Sequence, residues 1–220
     1  MPLSSLMTLA IACALCMLTA ANGMGSPVDH DYPEGRAAQQ DAMSSVQVLR
    51  MKAEGGSASA QFVLGQMLHQ GAHMEKDLVE ARRWYRAAAE QDYVEAQFFL
   101  AIMHDNGEGG RSDKEAAALW YRKAAAQGHS GAKVNLAVGY LRGEGVEQDE
   151  AMARSLLEEA SGQDDARAFF GLALIHEEGR GVPVDLCHAI HLYRKSAALG
   201  FATANRSLDR LGRPSLCEGV

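Results

Sequence analysis

The sequence contains no Gly-x-Ser-x-Gly elbow to raise a serine nucleophile, and Ser130, Ser155, Ser161 and Ser196 fall at helix ends or in small-residue seams with no base to pair with. It also lacks a phosphate-cradling loop. The clusters "GEGG" at Gly107 and "GEGVEQD" at Gly143 have neither the preceding strand nor the lysine that such a loop needs, so they read as helix C-terminal turns leading into an Asp N-cap. There is no basic stripe. With 21 Lys and Arg against 28 Asp and Glu the formal charge is −7, which offers phosphate backbones nothing to hold and excludes nucleic acid as the expected partner. Glu158-Glu159 and Glu177-Glu178 read as solvated helix-face carboxylates rather than an acid/base pair. Eight histidines raise the question of a metal, most directly in "CHAIH", where His188 and His191 share a helix face beside Cys187. No fourth ligand accompanies them. His104 and His176 stand at the register of Leu68 and Tyr140, where packing against the partner helix accounts for them. No catalytic residue, metal or cofactor is therefore expected, and the reading is that this is not an enzyme.

What is present is repetition. The segment "ARRWYRAAA" from Ala81 nearly recurs as "AALWYRKAAA" from Ala117, and Trp84 and Trp120 stand 36 residues apart (120 − 84). The same step links Ala60, Ala96, Ala132, Ala168 and Ala204, and links Leu64, Leu100, Leu136, Leu172 and Leu208. It also links Gly71, Gly107, Gly143 and Gly179, each followed six residues later by Asp77, Asp113, Asp149 or Asp185. Each unit reads as two helices. The first carries Ala-x-x-x-Leu and ends at the glycine, where a left-handed C-terminal residue is wanted. The second starts after the Asp, which accepts from free amides of the first turn, and Glu80 is placed to complete a capping box with Asp77. Ala81, Trp84, Tyr85 and Ala88 then share one face, and the helix stops near Asp92, Gly128, Asp164 or Gly200.

The ends differ. Residues 39–56 read as a lone second-type helix, with Val48 and Leu49 in the register of Trp84 and Tyr85, and residues 204–220 as a lone first-type helix and a tail. The repeats occupy 57–92, 93–128, 129–164 and 165–203 between these caps. Residues 1–21 contain no charged side chain, include the apolar run "LMTLAIACALCMLTA", and offer small residues at Thr19-Ala20-Ala21 for cleavage before Asn22. They read as an export signal, against a retained anchor or a lipid attachment at Cys13. Residues 22–38 form a flexible polar linker. Export leads to a periplasmic or secreted protein that meets a membrane only through its signal. It also leaves Cys187 and Cys217, which form one disulfide or remain two thiols.

The consensus Ala-x-x-x-Leu-(Gly/Ala), then Gly-x-Gly-x-x-x-Asp-x-x-x-Ala-x-x-Trp-Tyr-x-x-Ala-Ala, resembles the Sel-one-like repeat, a relative of the tetratricopeptide repeat, over about residues 57–211. Its fullest halves are residues 132–149 and 113–128, and it departs at Leu156-Leu157 and at His73. The resemblance implies an all-α, right-handed α/α superhelical solenoid of antiparallel pairs whose concave face binds proteins or peptides. It also implies an exported adaptor or regulator, expected to be monomeric. The rival readings are an envelope enzyme acting on β-lactams or peptidoglycan, and a metal-sequestering protein.

Two rows on the first helices are candidates for the binding face. Phe62, Phe98, Val134 and Phe170 form one, and Gln66, Ile102, Val138 and Leu174 lie one turn on. Both are offset from the Ala60/Leu64/Leu68 face by about 200° of helix. They either line the groove or pack between neighbouring first helices. His69, Asp105, Leu141 and Glu177 complete the partner-binding set at the rim.

Overall fold

The computed structural model describes residues 45–212. Among them are ten helices: α1 (45–54), α2 (Ala58–Gln70), α3 (Leu78–Ala89), α4 (Val94–Asn106), α5 (Lys114–Ala126), α6 (Ser130–Arg142), α7 (Glu150–Ser161), α8 (Ala166–Glu178), α9 (Leu186–Ala198) and α10 (Ala202–Leu211). Each packs chiefly on its neighbours in the chain. The result is an all-α repeat solenoid: four helix pairs, preceded by the second-type helix α1 and followed by the first-type helix α10. The part of the predicted first cap before residue 45, the export signal, the linker and Cys217 lie outside the described residues.

Local chemistry explains the repetition. Every first helix of a pair ends on a left-handed glycine, with φ between 67° and 74° at Gly71, Gly107, Gly143 and Gly179. At Gly71 its amide and the next one both reach the Met67 carbonyl. The loop then returns: the amides of Asp77, Asp113, Asp149 and Asp185 donate to Leu68, His104, Tyr140 and His176 carbonyls at 2.9–3.0 Å. Their carboxylates cap the following helix, Asp77 on two amides and the others on one each. The capping box expected of Glu80 does not form, because the Asp77 amide it would accept is already bonded to Leu68. Glu80 Oε1 instead accepts from Arg50 Nη1 at 3.0 Å and Trp84 Nε1 at 3.1 Å, tying α3 to α1.

The second helices also end in left-handed residues, at Asp92, Gly128, Asp164 and Gly200, as α1 does at Gly56. The amide after each closes on a carbonyl five residues back, as Tyr93 does on Ala88 at 3.2 Å. Between the helices, the Ala60, Ala96, Ala132, Ala168 and Ala204 row is buried and lets backbones approach, while Leu64, Leu100, Leu136 and Leu172 fill the space beside it. Truncating one of those leucines to Ala removes about 2–5 kcal/mol.

Candidate interaction face

The two candidate rows separate in the structure. Phe62, 8 % exposed, and Val134, 6 % exposed, belong to the core. Phe62 touches Tyr85 of its own pair and both Tyr93 and Phe99 of the next, with ring centroids 5.1–5.7 Å apart. Phe98 stacks on His129 at 4.2 Å, and Phe170 lies against Tyr193 at 5.4 Å and Phe201 at 5.1 Å. This row therefore joins each pair to the next. The second row remains nearer solvent: Gln66, Ile102 and Leu174 are partly buried, and Val138 is 37 % exposed.

The rim is more organised than the sequence suggested. His69 Nε2 pairs with Glu108 at 2.8 Å, and Lys114 bonds Asp105 and approaches Glu144 at 3.6 Å. Leu141 packs on the core, and its carbonyl accepts from Arg180 Nη1 at 3.4 Å. Glu177 is not a solvated face residue. Its side chain is 11 % exposed and accepts from Tyr193 Oη at 2.6 Å and Arg210 Nη2 at 2.6 Å. Burial pushes the Tyr121 and Tyr193 phenols far above their ordinary range, so both act as neutral groups here.

His104 is buried, and its ring is met by the preceding pair: Arg82 Nη2 donates to His104 Nδ1 at 2.6 Å and Arg86 Nη2 approaches Nε2 at 3.4 Å. Burial and these two guanidinium groups push its pKa down, with Asp113 opposing. His188 lies edge-on to His176 with centroids 4.4 Å apart, and His188 and His191 are exposed. Cys187 sits, partly buried, in the first turn of α9.

The registers of Gln61 and Gln91 supply a polar clip that apolar patterning does not reveal. Gln61 Nε2 donates to the Ala53 carbonyl at 3.0 Å and Gln91 Nε2 to Gln61 Oε1 at 2.7 Å; Gln97, Ala89 and Gln127 repeat the arrangement at 3.2 and 2.9 Å. The signal was available as glutamines 36 apart, at 61 and 97 and again at 91 and 127.

This geometry defines a helical repeat solenoid whose first helices carry a partly buried row, Gln66, Ile102, Val138 and Leu174, beside paired charges. The Sel1 repeat model matches residues 58–93, 94–129, 130–165 and 166–201, and the chain belongs to the Sel1 repeat family. Among solved structures it is similar to c5321, a protective antigen of uropathogenic Escherichia coli strains displaying an SLR fold. The identity is 36 % and the TM-score 0.71, over 76 % of this chain and 36 % of that one, so the chain spans little more than a third of the antigen's length. It is likewise similar to a Sel1 repeat protein from Oxalobacter formigenes, at 32 % identity and TM-score 0.71, covering 76 % of this chain and 68 % of that one. The immunity protein Pa5087 of Pseudomonas aeruginosa, at 20 % identity and TM-score 0.51 over 86 % of this chain and 74 % of that one, shares the fold alone. A comparison with curated proteins finds no match. Sel1 repeat proteins generally mediate protein–protein interaction, and the fold is typically a non-catalytic scaffold.

Proposed function

We propose that the chain is an exported adaptor or regulator that binds a protein or peptide along its concave face and performs no reaction itself. The carrying observation is the row Gln66, Ile102, Val138 and Leu174, which reaches solvent at Val138 and is partly buried at the other three positions, while Phe62 and Val134 of the row one turn earlier are buried in the core. A repeated, partly exposed apolar row on rigid helices is how a solenoid presents anchors to an extended partner. Capture from the native envelope fraction tests the reading. Val138→Ser and Leu174→Ser, made singly and together, are expected to reduce recovery of the partner, the pair at least tenfold, with helicity unchanged, and equal recovery overturns the assignment of the face.

Export is proposed from residues 1–21; among the described residues no helix is long and apolar enough to cross a membrane. The exported protein is expected to begin at Asn22, and an intact amino terminus in the envelope would sink the cleavage. With export goes a proposed Cys187–Cys217 disulfide closing a loop of about 30 residues, which would stabilise the end of the array by roughly 3–4 kcal/mol. Intact mass and thiol titration without reductant check it, and two titratable thiols refute it.

A further inference from the structure

At the last junction of the array the chain holds one of its own guanidinium groups. Glu177 accepts from Arg210 Nη2 and from Tyr193 Oη, each at 2.6 Å, and the Ser207 side chain bonds the same tyrosine. Two repeats earlier (177 − 105 = 72 positions) the corresponding residues are Asp105, Tyr121 and Asn135. They repeat the arrangement more loosely: Tyr121 Oη donates to Asp105 Oδ2 at 3.5 Å, and Asn135 Nδ2 donates to Tyr121 Oη at 3.0 Å. The residue in the register of Arg210 is Val138, so no arginine comes from that position. Two cations stand at the rim: Lys114, its side chain 43 % exposed, reaches Asp105, and Arg142, 63 % exposed, lies 3.9 Å from Glu144.

There is also space. A cavity of about 80 Å³ lies at this junction, with Ala117, Ala118, Leu136 and Gly139 beside Asp105 and Asn135. Small residues open it. Gly139 shares its register with Met103 and Ile175, both fully buried, and Ala118 shares its register with Arg82 and Arg154. The volume equals roughly two to three water molecules of liquid, the scale of a guanidinium or ammonium head. Lys114 and Arg142 are already drawn to Asp105 and Glu144 at the rim, so an acidic side chain would have to displace those carboxylates, and an apolar one would cover Asp105 without bonding it.

We propose that the junction of the second and third repeats is a receptor pocket for one basic side chain of the bound partner, arginine or lysine. Asp105 holds its head as Glu177 holds Arg210, and Lys114 swings to Glu144. The proposal rests on the adaptor reading and names the chemistry of the partner's anchor.

Titration of the ¹⁵N-labelled chain with N-acetyl-argininamide, N-acetyl-lysinamide, N-acetyl-leucinamide and the amide of N-acetyl-glutamate tests it without a natural partner. The two basic probes are expected to shift the Gly139 amide and the Asn135 side-chain amide saturably in the millimolar range, and the other two are not. Asp105→Asn, which keeps the shape, should weaken the response at least tenfold, and Lys114→Met should strengthen it severalfold. Circular dichroism confirms that each variant is folded. Absence of saturation by both basic probes overturns the pocket, as does an equal response to the leucine or glutamate probe. Val138 itself lines the cavity, so the control is Leu174: failure here with Leu174-dependent capture intact removes the pocket and leaves the adaptor. Saturation with no Leu174-dependent capture keeps the pocket and removes the groove reading.

Discussion

The tyrosine of each second helix and the residue after the buried end of the first helix vary together along the chain. Tyr121 faces Asp105, Tyr193 faces Glu177, and Tyr85 packs edge-on to His69. Where the tyrosine is replaced by Leu157, the opposing position is Leu141, also apolar. A buried phenol hydroxyl needs a partner and a methyl group does not, so the third pair dispenses with both polar members. The departure at Leu156-Leu157 is thereby a matched exchange. The same physics ranks two substitutions. Tyr193→Phe removes a short bond to a nearly buried carboxylate and is expected to lower stability by about 1.5–3 kcal/mol. Tyr121→Phe removes a 3.5 Å contact to an aspartate that Lys114 also serves and the 3.0 Å bond from Asn135 Nδ2, whose amide borders the open cavity, and should cost about 1 kcal/mol. Urea denaturation of the two variants measures the difference, and equal losses would mean that the bond lengths do not govern these sites.

At the scale of the element, the sequence made the helix boundaries legible because two residue types set them: a left-handed glycine or aspartate at each end and an Asp before each second helix. The expected stops and Asp caps appear. What the pattern could not fix was where side chains go once several acceptors compete. Glu80 had the right spacing for a capping box, but spacing says nothing of Arg50 thirty residues earlier or of an amide already donated to Leu68. The candidate rows were legible as registers and not as surfaces, because a phenylalanine at helical spacing looks the same whether it lines a groove or meets Tyr193. The Asp105 pocket is a product of absent volume at Gly139 and Ala118, which a search for apolar residues passes over. The caps give a direct test. Asp149→Ala deletes the single side-chain acceptor for the Met152 amide, and the exposed site leaves water as its substitute. A loss of about 1 kcal/mol is expected in urea midpoint measurements. No change would mean that the loop bond from the Asp149 amide to Tyr140 positions the helix unaided.

For the whole array, each pair is buried only against its neighbours, so a protonation that weakens one junction weakens the chain of contacts. Three histidines stand at such places. His104 lies between the first two pairs, with Arg82 and Arg86 of α3 facing it and Asp113 opposing. His129 stacks on Phe98, accepts from the Ala132 amide at Nδ1 at 3.1 Å, and feels Glu95, Asp165 and Arg167. His176 of the fourth pair lies against His188, with Asp185 and, across the junction, Arg154 and Glu158 of the third pair nearby. Burial leads the causes in all three, pushing each imidazole below its ordinary value of 6.5. The folded state thus favours the neutral ring, and below about pH 6.5 the unfolded chain binds more protons, so stability falls as pH drops through and below that value. Full stability is expected above it. Urea midpoints should therefore fall between pH 7.5 and pH 5.5, above the range where aspartates and glutamates with ordinary pKa values titrate. His104→Gln retains a neutral acceptor for Arg82 and cannot take up the proton, so it should flatten part of that decline while leaving the midpoint at pH 7.5 nearly unchanged. A midpoint constant from pH 7.5 to 5.5 in the parent chain would show that the junctions absorb the charge, and an unaltered slope in the variant would move the effect to His129 and His176.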